Sequence, residues 1–314
     1  MKLAVIDLGT NTFNLLIRDE AEKITLYNDK ISVRLGDGGL NDDHIAEGPF
    51  QRGIEAINAH LVTCRQWGVQ EIYTFATSAV RTASNGSDFI DAVYLNTGIR
   101  INLIDGDQEA DLIHLGVQQA VPLNMDKALI MDIGGGSTEF IIADSTQVYW
   151  KKSYLLGSSR LMQKFRPSDP IKAEEMEELK NYFEEQLEDL FSAAKQFSPR
   201  YLIGSSGSFD TLAAMTALRF QNANVLEGLT SYTFDLYEYT TISKLMRESD
   251  FEQRLNTPGM IPMRADLMVV ACVLIDFILV RLGIKAMKTS NYALKEGVLA
   301  SLQNHSLSWQ KSLL

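Results

Sequence analysis

Residues 128–142 read ALIMDIGGGSTEFII, and residues 3–17 read LAVIDLGTNTFNLLI. Laid over each other at an offset of 125, Asp132 falls on Asp7, Gly134 on Gly9 and Ser137 on Thr12. Each stretch is a short apolar run ending in Asp, then a turn of Gly, Ser, Thr or Asn, then a second apolar run. The pattern predicts a β-hairpin with buried strands and a turn whose glycine can take a positive φ. Two copies in matching context predict a duplicated, two-lobed α/β protein with a cleft between its lobes.

Helices and strands alternate around these hairpins. Phe50–Trp67 carries Ile54, Ile57, Leu61 and Val62 on a helical stripe that stops before Gly68. Glu71–Ala76 reads as a strand, Ser87–Asn96 as a helix, Ile99–Ile104 as a strand and Gln108–Ala120 as a helix. The second hairpin begins after Pro122 and Asn124, so the expected domains are 1–124 and 125–314, with the last helix packing back on the first lobe. Ile171–Phe191 reads as one amphipathic helix with Met176, Leu179, Phe183, Leu187 and Leu190 on one face. Tyr201–Ile203 is a short strand running into Gly204–Ser208. Helices are expected around Asp210–Leu218, Phe234–Arg247, Ala265–Leu282 and Ala293–Gln303, with a strand at Ala286–Thr289.

The chain has 314 residues, 46% apolar and 22% charged, with 7 prolines, which is the composition of a globular protein rather than a disordered one. Its net charge of −11 excludes broad, sequence-independent binding to a nucleic-acid duplex, which needs a basic face. Cys64 and Cys272 stand far apart with no CxxC, so neither a disulfide framework nor a structural zinc site is expected, and a reducing compartment, the cytoplasm, fits. His44, His60, His114 and His305 share no metal-ligand spacing. Asp7, Gly9 and Asn11 interrupt the apolar start, so no signal-peptide core is expected. Leu267–Leu282 is broken by Asp276 and Arg281 and is shorter than the ~20 apolar residues of a membrane span, so it reads as a buried helix.

Successive backbone N–H groups in a Gly/Ser/Thr turn form a concavity for anionic oxygen, and an Asp ending the preceding strand can hold a divalent metal. Asp7 with Thr10, Asn11 and Thr12, and Asp132 with Gly134, Gly135, Gly136 and Ser137, can therefore clamp one phosphate chain from two sides; alternatively they are only tight hairpins. Glu109 and Glu139 are the acid/base candidates, since phosphoanhydride hydrolysis needs a carboxylate to orient or deprotonate water. Glu109 stands at an expected helix start, where a carboxylate is a routine cap, and on its own that reading is favoured. Glu139 alternates with Phe140 and can equally face solvent. Arg81 suits a bidentate phosphate fork or an ordinary surface ion pair. Arg264 can reach phosphate or cap the helix that follows it. Gly204–Ser208 offers a third anion-binding terminus or a plain strand-to-helix turn.

In order, DLGTNTFNLLI, VRLGDGGL, ATSAVRTASN, GDQEADLIHLGV, MDIGGGSTEFII, GSSGSFDTLA, MRADLMVV and NYALKEGVL resemble the exopolyphosphatase/guanosine-pentaphosphate phosphohydrolase (Ppx/GppA) family over about residues 1–300. The resemblance implies two ribonuclease-H-like α/β lobes of the actin/sugar-kinase/heat-shock-ATPase superfamily with an interlobe cleft. It implies that Glu109 is the catalytic carboxylate and Glu139 a second essential glutamate near the metal. Asp132 falls on the metal-linked aspartate, Asn11, Arg81, Ser137 and Arg264 fall on phosphate-contacting positions, and Gly134–Gly136 match the second phosphate loop. Long family members continue into a helical HD-like domain; the expectation here is the short form, which puts processive grip on very long polyphosphate in question. The third loop, usually Gly-Gly-Thr, is Gly204-Ser-Ser-Gly here, so a ligand role carries over less firmly. A homodimer is implied by the resemblance alone.

The sequence therefore predicts a Mg²⁺-dependent exopolyphosphatase, releasing orthophosphate from the end of inorganic polyphosphate. The alternatives are removal of the 5′-phosphate of guanosine pentaphosphate (pppGpp), a non-hydrolytic polyphosphate or alarmone sensor, and an ATP-using kinase or chaperone on the same fold. Phosphate release by purified protein with Mg²⁺ and without ATP separates these classes. Asp169–Leu190 holds nine acids and two bases, whereas Arg281–Leu314 holds five bases and one acid. Most of the acidity is thus expected on a solvated helix face, screened beyond ~8 Å at physiological salt. Backbone N–H groups, a divalent cation and a few arginines are left to meet a polyanion.

Overall fold

The computed structural model describes residues 1–303 and 308–314; His305 lies outside the described residues. In chain order the first elements are β1 Lys2–Leu8, β2 Thr12–Asp19, β3 Ile24–Ser32, α1 Glu47–Trp67, β4 Glu71–Ala76, α2 Ser78–Thr82, α3 Gly86–Thr97, β5 Ile101–Leu103 and α4 Gly106–Ala120. There follow β6 Ala128–Ile133, β7 Thr138–Ala143, β8 Val148–Tyr154, α5 Ser158–Phe165, α6 Ala173–Gln186, α7 Glu188–Phe197, β9 Tyr201–Ser205, α8 Gly207–Phe220 and β10 Ser231–Phe234. The chain ends with α9 Leu236–Glu248, α10 Phe251–Leu255, α11 Met268–Leu282, β11 Met287–Ser290, α12 Leu294–Gln303 and β12 Ser312–Leu313.

Two compact units result, residues 1–115 with 294–314, and residues 116–293. The division falls inside α4, where the sequence reading set it near residue 124. The C-terminal segment joins the first unit because α12 packs on β1 and β12 pairs antiparallel with β4. Trp309 adds an edge-on ring contact to Phe75 at 5.0 Å.

In the first unit the sheet order is β3-β2-β1-β4-β5, with β1–β2 and β2–β3 antiparallel and β1–β4 and β4–β5 parallel. In the second unit β8-β7-β6-β9-β11 repeats the pattern, and β10 adds an antiparallel edge. Each is the ribonuclease-H-like order 3-2-1-4-5 with an antiparallel second strand, so the duplication extends from the hairpins to whole units. Every residue of β6 and β7 is buried, as expected of strands covered on both faces. The meander strands β3 and β8 escape the sequence reading because they are half-exposed and carry charges.

Three local expectations need correction. The hairpin glycines do not take positive φ; that conformation belongs to Gly38, Gly68, Gly98, Gly228, Gly259 and Gly283. Gly9 and Gly134 are required instead by close approach, since a Cβ on either would stand 3.0 Å from the Thr12 or Ser137 carbonyl oxygen. The helix expected over 171–191 is two helices parted at Leu187, although Leu179, Phe183, Leu187 and Leu190 are fully buried as read. Val62 leaves the α1 stripe and is exposed, while Ile57 and Leu61 are buried. The acids of α6 face solvent, with Glu174, Glu177, Glu178, Glu184 and Glu185 all exposed. Among the described residues no helix is long and apolar enough to cross a membrane.

Candidate functional site

In the first unit the β1–β2 turn closes through the Gly9 N–H to the Thr12 carbonyl at 3.1 Å. The segment after β3 takes the turn's own carbonyls: the Val33 and Arg34 N–H groups donate to Asn11 O at 3.0 and 2.9 Å, and Gly36 N–H donates to Thr10 O at 3.2 Å. Asp7, at the end of β1, stands opposite Asn14 of β2 and accepts its side-chain amide at 3.0 Å.

Glu109 lies in the first turn of α4, whose capping box is made by Asp105 and Gln108. Asp105 accepts the Gln108 N–H at 2.8 Å, and the Gln108 side chain accepts the Asp105 N–H at 3.0 Å, a reciprocal capping box. The buried Glu109 carboxylate accepts from Arg81 Nη1 at 2.8 Å. Arg81 sits on the short helix that follows β4, so the β4 end aims it toward α4. In the structure Arg81 makes an ion pair, the alternative to the phosphate fork, but with a buried carboxylate rather than at the surface.

In the second unit the β6–β7 turn repeats the first. Gly134 N–H donates to Ser137 O at 3.0 Å, and the same offset of 125 relates this bond to that of Gly9 and Thr12. The start of α5 takes the turn carbonyls. Ser158 N–H donates to Gly134 O at 2.9 Å, Ser159 N–H to Gly135 O at 3.0 Å, and Arg160 Nε to Gly136 O at 3.1 Å. Gly157 packs directly on this turn; a Cβ there would meet Gly135 O at 2.4 Å. With the carbonyls engaged on that side, the N–H groups of Gly135 and Gly136 have no acceptor among the described residues. A run of unengaged N–H groups is an anion cradle.

Beside the turn lies a row of four side chains across four strands. Register places Ser205 (β9) next to Asp132 (β6), Asp132 next to Glu139 (β7), and Glu139 next to Ser153 (β8). Directly paired residues share a face with Cβ atoms about 5 Å apart. Ser205 Oγ donates to Asp132 Oδ2 at 2.6 Å, and Ser153 Oγ donates to Glu139 Oε1 at 2.6 Å. Both carboxylates are buried, so Glu139 does not face solvent. Burial pushes the Asp132 carboxyl above its usual range, opposed by hydrogen bonds from Ser205 and Ser206 and by the Arg264 charge.

Ser206 adopts φ 72° and ψ 171°, a region essentially reserved for glycine that costs of order 1–3 kcal/mol for a residue with a Cβ. It is held there by its bond to Asp132 and by the Phe209 and Asp210 N–H groups on its carbonyl. Arg264 lies on the 3₁₀ turn Pro262–Arg264, and the α11 N-cap residue, Leu267, makes no side-chain cap bond. The Arg264 guanidinium lies on Gly207 at the start of α8, where a Cβ would meet Nη2 at 2.0 Å. Arg264 Nε is buried with no hydrogen-bond partner among the described residues, and burial lowers the guanidinium pKa while Asp210 and Asp132 oppose the shift.

The Asp132 and Glu139 oxygens suit a hard cation. No group of three or more His, Cys, Asp or Glu gathers among the described residues, so a closed protein cage is not available. Mg²⁺ fits such an open pair, because it keeps waters and takes substrate phosphate oxygens. The cost of burying Asp132 is one a cation would offset. Asp7 is less suited, since Asn14 stands where the second unit has Glu139 and already engages the carboxylate.

The structure thus assembles Asp132, Glu139, the Gly134–Ser137 turn and Arg264 in one unit, and Asp7, Thr10–Thr12, Arg81 and Glu109 in the other. Sequence reasoning missed Ser153, Gly157 and Arg160, and it put Ser205 and Ser206 in a third anion-binding terminus or plain turn rather than on the Asp132 carboxylate. Applying the offset of 125 to Asp7 and Asn14 finds the Asp132–Glu139 pair, but nothing local ties the serines to those two carboxylates. Cys64 and Cys272 are buried; burial pushes the Cys64 thiol up to about 12 and that of Cys272 higher still.

Comparison with known proteins matches residues 16–306 to the Ppx/GppA phosphatase family. Exopolyphosphatase 1 of Mycobacterium tuberculosis is 26% identical over 303 residues, covering 95% of this chain and 87% of that protein. The crystal structure of an exopolyphosphatase from Cytophaga hutchinsonii superposes with a TM-score of 0.94 at 39% identity, covering 97% of this chain and 98% of that one. A Ppx/GppA family member from Aquifex aeolicus shares the fold, with a TM-score of 0.77 at 21% identity over 98% of this chain and 99% of that one.

Proposed function

The chain belongs to the Ppx/GppA phosphatase family, and from that membership we propose that this phosphoanhydride hydrolase is an exopolyphosphatase, releasing orthophosphate from the end of inorganic polyphosphate with the help of Mg²⁺. The observation that carries the reading is the Ser205–Asp132–Glu139–Ser153 row beside a turn with unengaged N–H groups. It supplies the two things a phosphate chain needs, carboxylates for a cation and dipoles for its oxygens.

In this reading Glu109 orients the attacking water and draws its proton, and Arg81 fixes the carboxylate that does so. The Gly134–Ser137 turn and Arg264 hold phosphate oxygens, as do Thr10, Asn11 and Thr12. Asp132 and Glu139 would hold the divalent cation, which supplies positive charge against the phosphate oxygens when bound. Ser205 and Ser153 keep the two carboxylates aimed.

A second reading, hydrolysis of the 5′-phosphate of pppGpp, is favoured by one observation. A cavity of about 280 Å³, lined by Asp210, Leu226, Ser231, Tyr232 and Asn291 among others, opens beside the first turns of α8 and has room for a purine. Comparing kcat/KM for tripolyphosphate, long polyphosphate and pppGpp at one Mg²⁺ concentration tests both readings. Preference for either polyphosphate supports the first, and preference for pppGpp replaces it. Tight binding with no phosphate release from any of them makes the protein a sensor. A cytoplasmic homodimer completes the proposal, with light scattering of the purified protein as the check on assembly.

A further inference from the structure

We propose that Arg254 is a positioning residue for phosphate binding, a buried guanidinium that holds the Arg264 segment in register against α8. The inference rests on the reading of Arg264 as a phosphate contact.

The segment between α10 and α11 that carries Arg264 is held from within by short-range turns. Arg264 N–H donates to Ile261 O at 2.8 Å, Ala265 N–H to Pro262 O at 3.3 Å, and Leu267 N–H to Arg264 O at 2.9 Å. Such turns set local shape but not where the segment stands. A bond from farther off comes from Arg254, whose Nε donates to Ala265 O at 2.7 Å, one residue beyond Arg264. Ala265 is fully buried, so this carbonyl has no access to water as an alternative donor.

Arg254 is 3% exposed. Its Nη1 donates to Asp169 Oδ1 at 2.7 Å and to the Ser249 carbonyl. Asp169 in turn accepts the Phe251 N–H through Oδ2 at 2.7 Å, tying the same carboxylate to the start of α10. One planar fork thus joins three acceptors from separate stretches of chain: the loop before α6, the end of α9 and the Arg264 segment. A guanidinium can serve three fixed directions at once, whereas an ammonium serves them poorly and an apolar side chain of similar volume serves none. The precision is needed because Arg264 rests on Gly207 with no room for a Cβ between them. A small shift of Ala265 would move the Arg264 guanidinium off the start of α8.

The test is a double-mutant cycle on tripolyphosphate hydrolysis by the full chain, with KM and kcat read separately. Arg254→Met should raise KM about fivefold or more with kcat changed less than twofold, and should add less than twofold in an Arg264→Met background. Arg254→Lys should recover only part of the loss. A merely structural role would give the same fold-change in both backgrounds and would overturn the proposal, as would a KM for Arg254→Met within twofold of wild type. If Arg254→Met does not fold, Asp169→Asn carries the same cycle, with a smaller KM increase that again vanishes with Arg264→Met. If Arg264→Met alone leaves KM unchanged, the phosphate role of Arg264 fails and the inference falls with it. If Arg264→Met raises KM while the Arg254 and Asp169 variants do not, only the inference fails.

Discussion

Arg81 Nη1 donates to Glu109 Oε2 at 2.8 Å, and the same nitrogen reaches the Ile104 carbonyl at 3.0 Å. The two side chains are 19% and 9% exposed, so this is a half-buried charge-assisted bond that aims the carboxylate. Asp105 and Gln108 form the capping box of α4. Glu109→Gln keeps the shape and removes the carboxylate proposed to act as base. The expected outcome is a fall in kcat for phosphate release of about 10²–10⁴-fold, with the circular dichroism spectrum unchanged. Near-wild-type release would remove Glu109 from the mechanism.

The hairpins were legible because strands buried on both faces leave unbroken apolar runs, and because the chain repeats itself at a fixed offset. The third strand of each meander was not, since β8 lies half-exposed with Lys151 and Lys152 in its middle. The break at Leu187 is invisible to periodicity, because Leu179, Phe183, Leu187 and Leu190 keep a helical spacing straight through it. The internal repeat and the motif resemblance mark Asp132 and Glu139 in the sequence. Their serine partners lie 73 and 14 residues away and are brought in only by strand register. For Arg81 the sequence leaves a phosphate fork and an ion pair open, because its carboxylate partner, 28 residues on, becomes a neighbour only once β4 and α4 are placed.

Ser153 Oγ donates to Glu139 Oε1 at 2.6 Å, the outermost link of the four-strand row. Groups that orient a metal-binding carboxylate are typically worth about 10–100-fold in metal affinity or activity. Ser153→Ala is therefore expected to raise the Mg²⁺ concentration for half-maximal rate by about tenfold or more. Calorimetry supplies a readout independent of turnover: Mg²⁺ should raise the Tm of the wild type and leave that of Asp132→Asn unmoved. An equal Mg²⁺-induced shift in both proteins would place the cation elsewhere.

Asp144, in the β7–β8 turn, accepts from the Thr146 hydroxyl at 2.6 Å, the Tyr149 hydroxyl at 2.7 Å and the Thr146 and Gln147 N–H groups at 2.7 and 3.2 Å. These bonds, the Thr146 hydroxyl foremost, hold its carboxyl well below the usual carboxylate range. A depressed acid stabilises the folded chain above its unfolded-state pKa, and that contribution is lost as pH falls through the folded value. Asp144→Asn should melt below wild type at pH 7, and the gap should shrink steadily below about pH 4, where the unfolded carboxyl takes up its proton. A gap that widens on acidification has the wrong sign for this account.

Gly157, at the start of α5, has φ −67° and ψ 152°, a conformation alanine adopts freely, so any penalty for a side chain is steric. The added Cβ would meet Gly135 C and O at 2.4 Å and Gly136 C at 2.5 Å, all backbone. Overpacking of this kind costs typically ~1–3 kcal/mol, relieved only by moving the turn whose N–H groups are proposed to hold phosphate. Gly98→Ala is the matched comparison: it forces a side chain into positive φ at the end of α3, with open space around the Cβ. Both variants should lower Tm. At a temperature where both are folded, Gly157→Ala should lose at least tenfold in kcat/KM for tripolyphosphate while Gly98→Ala stays within about twofold of wild type, since surface strain away from a site acts on stability alone. Equal losses in the two would mean that activity follows global stability and that the Gly134–Ser137 turn has no special part in binding.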